Sequence, residues 1–355
     1  MKNKVSAILL FMAVFLFSCT YPSATLQKET KPDGEKILKI TYPSPKMFAY
    51  DIAGGKDQWG IVFAINDYTQ ICFPPPGTII DNRWFYYFGI VDQDLNPILK
   101  TPFVFEETKK SESFFAGQYM AVFPTEKGFL IVYMIEGSFY FTEFGTDGKK
   151  IRDKTLFYGN QKENPERNSI LSIHYQNNIL YLLLREAPED IYTDSWSINL
   201  IKHDIEKDQQ EILKKFIPNK EGWYQVRKMD VFLKDDFLFL SWIDGKEYKE
   251  DPENSSYKLS PIVYYAACPL TEKQCAAYQT VLKTNNYFQS DIRFLEKEGV
   301  FSLVIRDEEE FWEQKIGEKG ALQGTALRVS EERKKIVSSL FDKEKEYPFQ
   351  VIFEE

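Results

Sequence analysis

The stretch Met229-Asp230-Val231-Phe232-Leu233-Lys234-Asp235-Asp236-Phe237-Leu238-Phe239-Leu240-Ser241-Trp242-Ile243 places two runs rich in aromatic and β-branched residues on either side of Lys-Asp-Asp. Such runs suit a pleated, half-buried surface, and a short polar linker containing Asp suits a tight turn, so the stretch predicts a β-hairpin. Working outward, the same arrangement occurs four more times. Met47–Ala53 precedes Trp59–Ile65, and Tyr119–Pro124 with the turn Thr125-Glu126-Lys127-Gly128 precedes Phe129–Ile135. Leu171–Tyr175 with Gln176-Asn177-Asn178 precedes Ile179–Leu184, and Asp291–Leu295 with Glu296-Lys297-Glu298-Gly299 precedes Val300–Ile305.

Each hairpin is followed by a third strand that runs into a second family of turns. Tyr86–Val91 leads to Asp92-Gln93-Asp94-Leu95-Asn96, Phe139–Phe144 to Gly145-Thr146-Asp147-Gly148, and Ile198–His203 to Asp204–Gln209. Val263–Ala267 leads to Pro269–Lys273, and Thr325–Val329 to Ser330–Arg333. A unit of four antiparallel strands recurring about every 50 to 70 residues is what a propeller blade looks like in sequence. The expected fold is therefore all-β, a β-propeller of four-stranded antiparallel blades over residues 37–355. A pair of stacked β-sandwiches is the alternative for so many short strands. Ile37–Tyr42 reads as a fourth strand and Phe349–Phe353 as a first strand with nothing after it, so the expected count is five blades with extra closing strands, with six blades, one incomplete, as the alternative. The resemblance is to the architecture in general. The Trp-Asp ending of WD repeats, the Asp-box of sialidases and the kelch double glycine are all missing from the sequence.

At the N-terminus, Lys2 and Lys4 precede an apolar or small run, Val5–Ser18, that ends at Cys19. This is the order of an export signal. The run is about 14 residues long, whereas a spanning helix needs roughly 20. Leu16-Phe17-Ser18-Cys19 resembles the lipobox of bacterial lipoproteins, which implies cleavage after residue 18 and a diacylglyceryl group with palmitate-type chains on Cys19. Phe17 is larger than the residue most lipoboxes carry there. Thr20 stands where an Asp would retain the protein at the inner membrane, so the resemblance implies a lipid-anchored protein of the bacterial cell envelope, at the outer membrane. Residues 19–36, poor in apolar side chains, read as a flexible tether.

The whole chain carries a net charge of −9, and losing Lys2 and Lys4 makes the mature chain more acidic. No basic footprint for nucleic acid is visible, and attraction to anionic head groups is disfavoured, which leaves the Cys19 acyl anchor as the expected bilayer contact.

In a four-stranded blade the connections between second and third strands share one end with the crossings to the next blade. The sequence predicts long connections there, at Asn66–Asn82, Glu186–Ser195, Asp244–Ser260 and Arg306–Gln323, and a short one only at Glu136-Gly137-Ser138. Aromatics fall in or beside them: Tyr68, Phe73, Trp84, Tyr192, Trp196, Tyr248, Tyr257, Phe311 and Trp312. Aromatic side chains supply contact area at small entropic cost, so they are candidates for a recognition rim facing an envelope protein or glycan. Taken singly, each also suits a plug at a blade margin. The acidic residues of the same stretches lack the alternating spacing of a dedicated Ca²⁺ loop.

His174 and His203 are the only histidines, expected on a first and a third strand, so neither a two-histidine metal centre nor a Ser-His-Asp relay is predicted. No glycine-rich phosphate loop is present, and no cofactor is expected. Cys268 and Cys275 flank Pro269–Gln274 and are expected to form a hairpin disulfide in an oxidising compartment. The leading functional expectation is a binding or scaffolding module. The alternatives are a carbohydrate-active hydrolase with a carboxylate pair in the channel and a purely structural envelope lipoprotein.

Overall fold

The structure, a computed structural model, describes residues 24–42, 47–68, 82–99, 102–109, 119–135, 138–159, 169–186, 197–216, 228–249, 257–272, 278–285, 289–297, 299–338, 341 and 348–354. It is all-β, a β-propeller architecture of six sheets. Five are four-stranded antiparallel meanders, and the sixth has three strands. The chain separates into two compact units, Met1–Pro165 with Tyr347–Glu355, and Glu166–Glu346. No helix among the described residues is long and apolar enough to cross a membrane.

The N-terminal unit begins with β1 (Thr25–Thr30) and β2 (Lys36–Thr41), antiparallel and in register from Thr25 opposite Thr41 to Thr30 opposite Lys36. Blade one follows with β3 (Met47–Gly54), β4 (Gln58–Tyr68), β5 (Asn82–Asp92) and β6 (Phe103–Lys109). Blade two holds β7 (Met120–Pro124), β8 (Gly128–Ile135), β9 (Ser138–Gly145) and β10 (Lys150–Tyr158). Three sheets are packed through two apolar seams. Leu26, Leu38 and Ile40 meet Ile61, Phe63 and Tyr87 in the first. Val62, Trp84, Tyr86 and Phe88 meet Met120, Val122, Phe129 and Tyr133 in the second. The approach is close at Gly60, where an added Cβ would lie 2.5 Å from the Phe129 ring, so only glycine lets the second sheet pack this near.

The C-terminal unit contains three blades. Blade three is β11 (Ser169–Gln176), β12 (Ile179–Glu186), β13 (Ser197–Asp204) and β14 (Gln209–Phe216). Blade four is β15 (Lys228–Lys234), β16 (Phe237–Lys249), β17 (Tyr257–Pro269) and β18 (Gln279–Lys283). Blade five is β19 (Ser290–Lys297), β20 (Val300–Asp307), β21 (Glu310–Ile316) and β22 (Leu322–Arg328). Leu183 and Leu200 pack on Leu240, Trp242 and Ala266 between blades three and four. Phe239, Ile243 and Tyr265 pack on Phe294, Leu303 and Ile305 between blades four and five. A helix, α1 (Glu331–Ser338), lays Val337 against Val304 and Phe311 of blade five, and Arg333 reaches Glu313 at 2.6 Å.

The last strand, β23 (Gln350–Glu354), returns to the N-terminal unit and pairs with β2 in parallel, Ile37 opposite Gln350 and Thr41 opposite Glu354. Both expected leftover strands thus belong to one three-stranded sheet, the incomplete sixth.

Two sequence expectations about these elements need correction. The stretch 25–30, read as part of a tether over 19–36, is strand β1, because Ala24 and Leu26 are buried against the first sheet seam. In blade five, the connection expected over Arg306–Gln323 is a two-residue turn, Glu308-Glu309, followed directly by β21. Thr325–Val329 accordingly falls largely on the fourth strand, and Ser330–Arg333 opens onto α1 instead of a hairpin. The turn was hidden because its left-handed residue is Glu308, at φ 57°, where Gly, Asn or Asp would be the usual signal.

Candidate functional site

First strands carry one recurring pattern, an aspartate followed by a β-branched residue: Asp51-Ile52, Asp230-Val231 and Asp291-Ile292. A first strand has one edge without a partner strand in its own sheet, so backbone N–H groups there need other acceptors. The carboxylates supply them. Asp51 Oδ1 accepts the Ile52 N–H at 2.8 Å, and Oδ2 accepts the Val122 N–H of the next blade's first strand at 2.9 Å. Asp230 Oδ2 accepts the Phe294 N–H of blade five at 2.6 Å. Asp291 Oδ1 accepts the Ile292 N–H at 2.9 Å, and its carboxylate lies 3.4 Å from Arg293 Nη1 and 3.6 Å from Arg306 Nη2.

Asp230 is part-buried between blades four and five. Burial pushes its carboxyl above the ordinary carboxylate range; the Phe294 N–H and Arg293 oppose that, and the nearby Asp291 charge adds to it. The sign follows from linkage. A raised folded-state value means that the contribution of Asp230 to stability is full below the unfolded value of about 3.9 and declines as pH rises through the folded value. Asp230→Ala is therefore expected to destabilise more at pH 4 than at pH 7, as read from denaturant midpoints at the two pH values. An equal loss at both would show that burial does not shift this group.

Trp84 lies on β5, 1% exposed, inside the seam between blades one and two. Phe311, on β21, is buried with its ring 5.7 Å from that of Phe341, and Trp312 packs half-buried against the seam between blades four and five. Of these three, expected on a loop rim, Trp84 and Phe311 are core residues and Trp312 is half-buried on a strand. Trp84 moves inward because β5 begins at Asn82, and Phe311 and Trp312 do so because the acidic turn is so tight. Tyr68 ends β4, and Tyr248 and Tyr257 sit where β16 and β17 pair as two 13-residue strands, with Lys249 opposite Tyr257. Their side chains lie outside the described residues, as do Phe73, Tyr192 and Trp196. The long connections that remain are 69–81, 187–196 and 250–256, in three of the five complete blades; only residues 136–137 separate β8 from β9, and β20 and β21 are joined by the turn 308–309.

His174 is opposite Tyr181 and His203 opposite Leu180. Successive residues of a strand face opposite sides, so the two imidazoles point to opposite faces of blade three. Ser172 Oγ contacts His174 Nε2, and burial pushes that imidazole below its ordinary value. His203 is buried, with Nε2 3.3 Å from Asp208 Oδ1. Among the described residues no three His, Cys, Asp or Glu side chains gather as metal ligands would. Cys268, at the end of β17, is disulfide-bonded. Its expected partner Cys275, like Cys19, lies outside the described residues.

The class these features define is a β-propeller protein with carboxylate-stapled inner strands. No protein-family model matches the chain, and no curated protein matches it. Among solved structures, it is similar to an alpha-L-arabinanase of Penicillium chrysogenum complexed with arabinobiose, with a TM-score of 0.44 and 8% identity over 87% of this chain and 86% of that one. An alpha-L-arabinofuranosidase from Fusarium graminearum in complex with an iminosugar inhibitor aligns with a TM-score of 0.39 and 12% identity, covering 86% and 85%. A putative 6-phosphogluconolactonase from Bacteroides uniformis aligns with a TM-score of 0.35 and 13% identity, covering 87% and 97%. Likeness at this level bears on neither substrate nor mechanism.

Proposed function

We propose that this chain is a lipid-anchored lipoprotein of the cell envelope whose blades form a binding module, with an envelope protein or glycan engaged where the long connections 187–196 and 250–256 of the C-terminal unit emerge. The observation that carries the reading is the asymmetry of the connections. At one end of each complete blade, first and second strands are joined by turns of two or three residues, such as 125–127, 177–178 and 235–236. At the other end stand 69–81, 187–196 and 250–256, and loops set on a rigid scaffold are where recognition concentrates. Tyr192 and Trp196 are the aromatic candidates in 187–196. The test is binding of the purified domain to a glycan panel and to solubilised envelope proteins. Joint replacement of Tyr192 and Trp196 by alanine is expected to abolish the captured signal and leave the thermal melt unchanged; unaltered capture would count against this end of the blades.

A second reading is carbohydrate hydrolysis, supported by the Asp230 and Asp291 carboxyls on neighbouring first strands, one of them raised by burial. The same glycan panel, assayed for released reducing sugar, separates the two. Hydrolysis predicts product that disappears in Asp291→Asn, whereas the binding module predicts retention without turnover.

A further inference from the structure

The beginning of the folded chain limits where a lipid on Cys19 can reach. Ala24 is buried in the first sheet seam and β1 starts at the next residue, so a fixed point of the fold stands five residues after Cys19. Five residues span at most about 17 Å when fully extended. β1 itself, six residues long, spans about 20 Å. The anchor therefore cannot extend past the far end of β1, whatever path residues 20–23 take.

Which end that is follows from the packing. Lys36, the first residue of β2, is 2.7 Å from Asp94 in the turn between β5 and β6. Thr30 pairs with Lys36, so β1 runs toward the short-turn end of blade one. Thr25 and Thr41 lie at its other end, toward Met47, Tyr68, Asn82 and Lys109, from which 69–81 and 110–118 leave. Leu26 sits against Gly89, where a Cβ would be 2.6 Å from Leu26 Cδ1, which sets the entry point part-way along β5. From there an extended tether just reaches the level of Asn82.

Resting on the reading of Cys19 as lipidated, we propose that the bilayer holding this anchor lies against the end of the N-terminal unit from which 69–81 and 110–118 emerge. The short turns 55–57, 125–127 and 146–149 point away from it. The bilayer is the occupant because the covalent anchor holds it within reach. The net negative charge of the chain leaves no electrostatic attraction to do so.

Blade two offers a matched pair of exposed reporters. Leu156, on β10 opposite Tyr140, is near the proposed bilayer end, and Lys127 is in the opposite turn. In a Cys72→Ser background, Leu156→Cys and Lys127→Cys carry a fluorophore on the full-length mature protein, reconstituted in phosphatidylcholine and phosphatidylethanolamine vesicles whose head groups bear a nitroxide quencher. The label at 156 is expected to lose most of its emission and the label at 127 to keep it. Equal quenching, or the reverse order, overturns the orientation. Intact mass of the mature chain reads the anchor separately: a chain without diacylglyceryl on Cys19 sinks the lipoprotein reading itself, whereas a lipidated chain quenched at 127 sinks only the orientation.

Discussion

Trp84→Ala is expected to lower the free energy of unfolding by about 3–5 kcal/mol, the range for emptying a large aromatic site in a packed core. The indole is 1% exposed among Val62, Phe88, Met120 and Tyr133, on both sides of the seam between blades one and two. The loss should appear as an earlier unfolding transition of the N-terminal unit in urea, with little change in ligand capture by molecules that remain folded. A protein that keeps its stability and loses capture would return Trp84 to the recognition surface and refute its place in the seam.

Asp51→Ala should be nearly as damaging, at about 2–4 kcal/mol, because it removes a buried acceptor from two backbone donors at once. The Ile52 and Val122 N–H groups bond its two oxygens, and Val122 belongs to the neighbouring blade. Asp51→Asn keeps one carbonyl acceptor and is expected to cost roughly half as much. Native-state hydrogen exchange checks this directly, since the Val122 amide should lose protection in the alanine variant before amides in the middle of β8 do. Unchanged protection would mean that the apolar seam alone holds the two sheets together.

Much of the strand order was legible because inner strands alternate with turns whose residues have local physical reasons. Asn177, Asn178 and Asp235 take left-handed φ values, and Gly299 does the same, where the pattern of turn residues placed hairpins. Blade five defeated that logic at Glu308, a residue with no intrinsic preference for the conformation it adopts. β1 was missed for a different reason. Thr25–Thr30 is almost entirely polar, and its membership in the fold depends on Leu26 and on pairing with β2, neither of which is a local signal. The aromatic candidates show the limit more sharply. Whether Trp84, Phe311 or Trp312 faces solvent or a neighbouring sheet is decided by strand ends a few residues away, and composition carries no information about that. The inner-strand aspartates were passed over because a lone acid in a strand looks like a solvated position. The signal that would have found them is their repeated pairing with a following Ile or Val.

The return of β23 to β2 has a consequence for biogenesis. The first sheet to emerge is completed by residues 350–354, so the N-terminal unit stays unfinished until all five four-stranded blades have been delivered. During that interval one edge of β2 is open to pairing with foreign strands, the hazard that exposed edges always carry. A chain cut short before residue 350 would keep five blades' worth of sequence and still lack the piece that seals its beginning. Quality control would meet it as an adhesive intermediate instead of a smaller working protein.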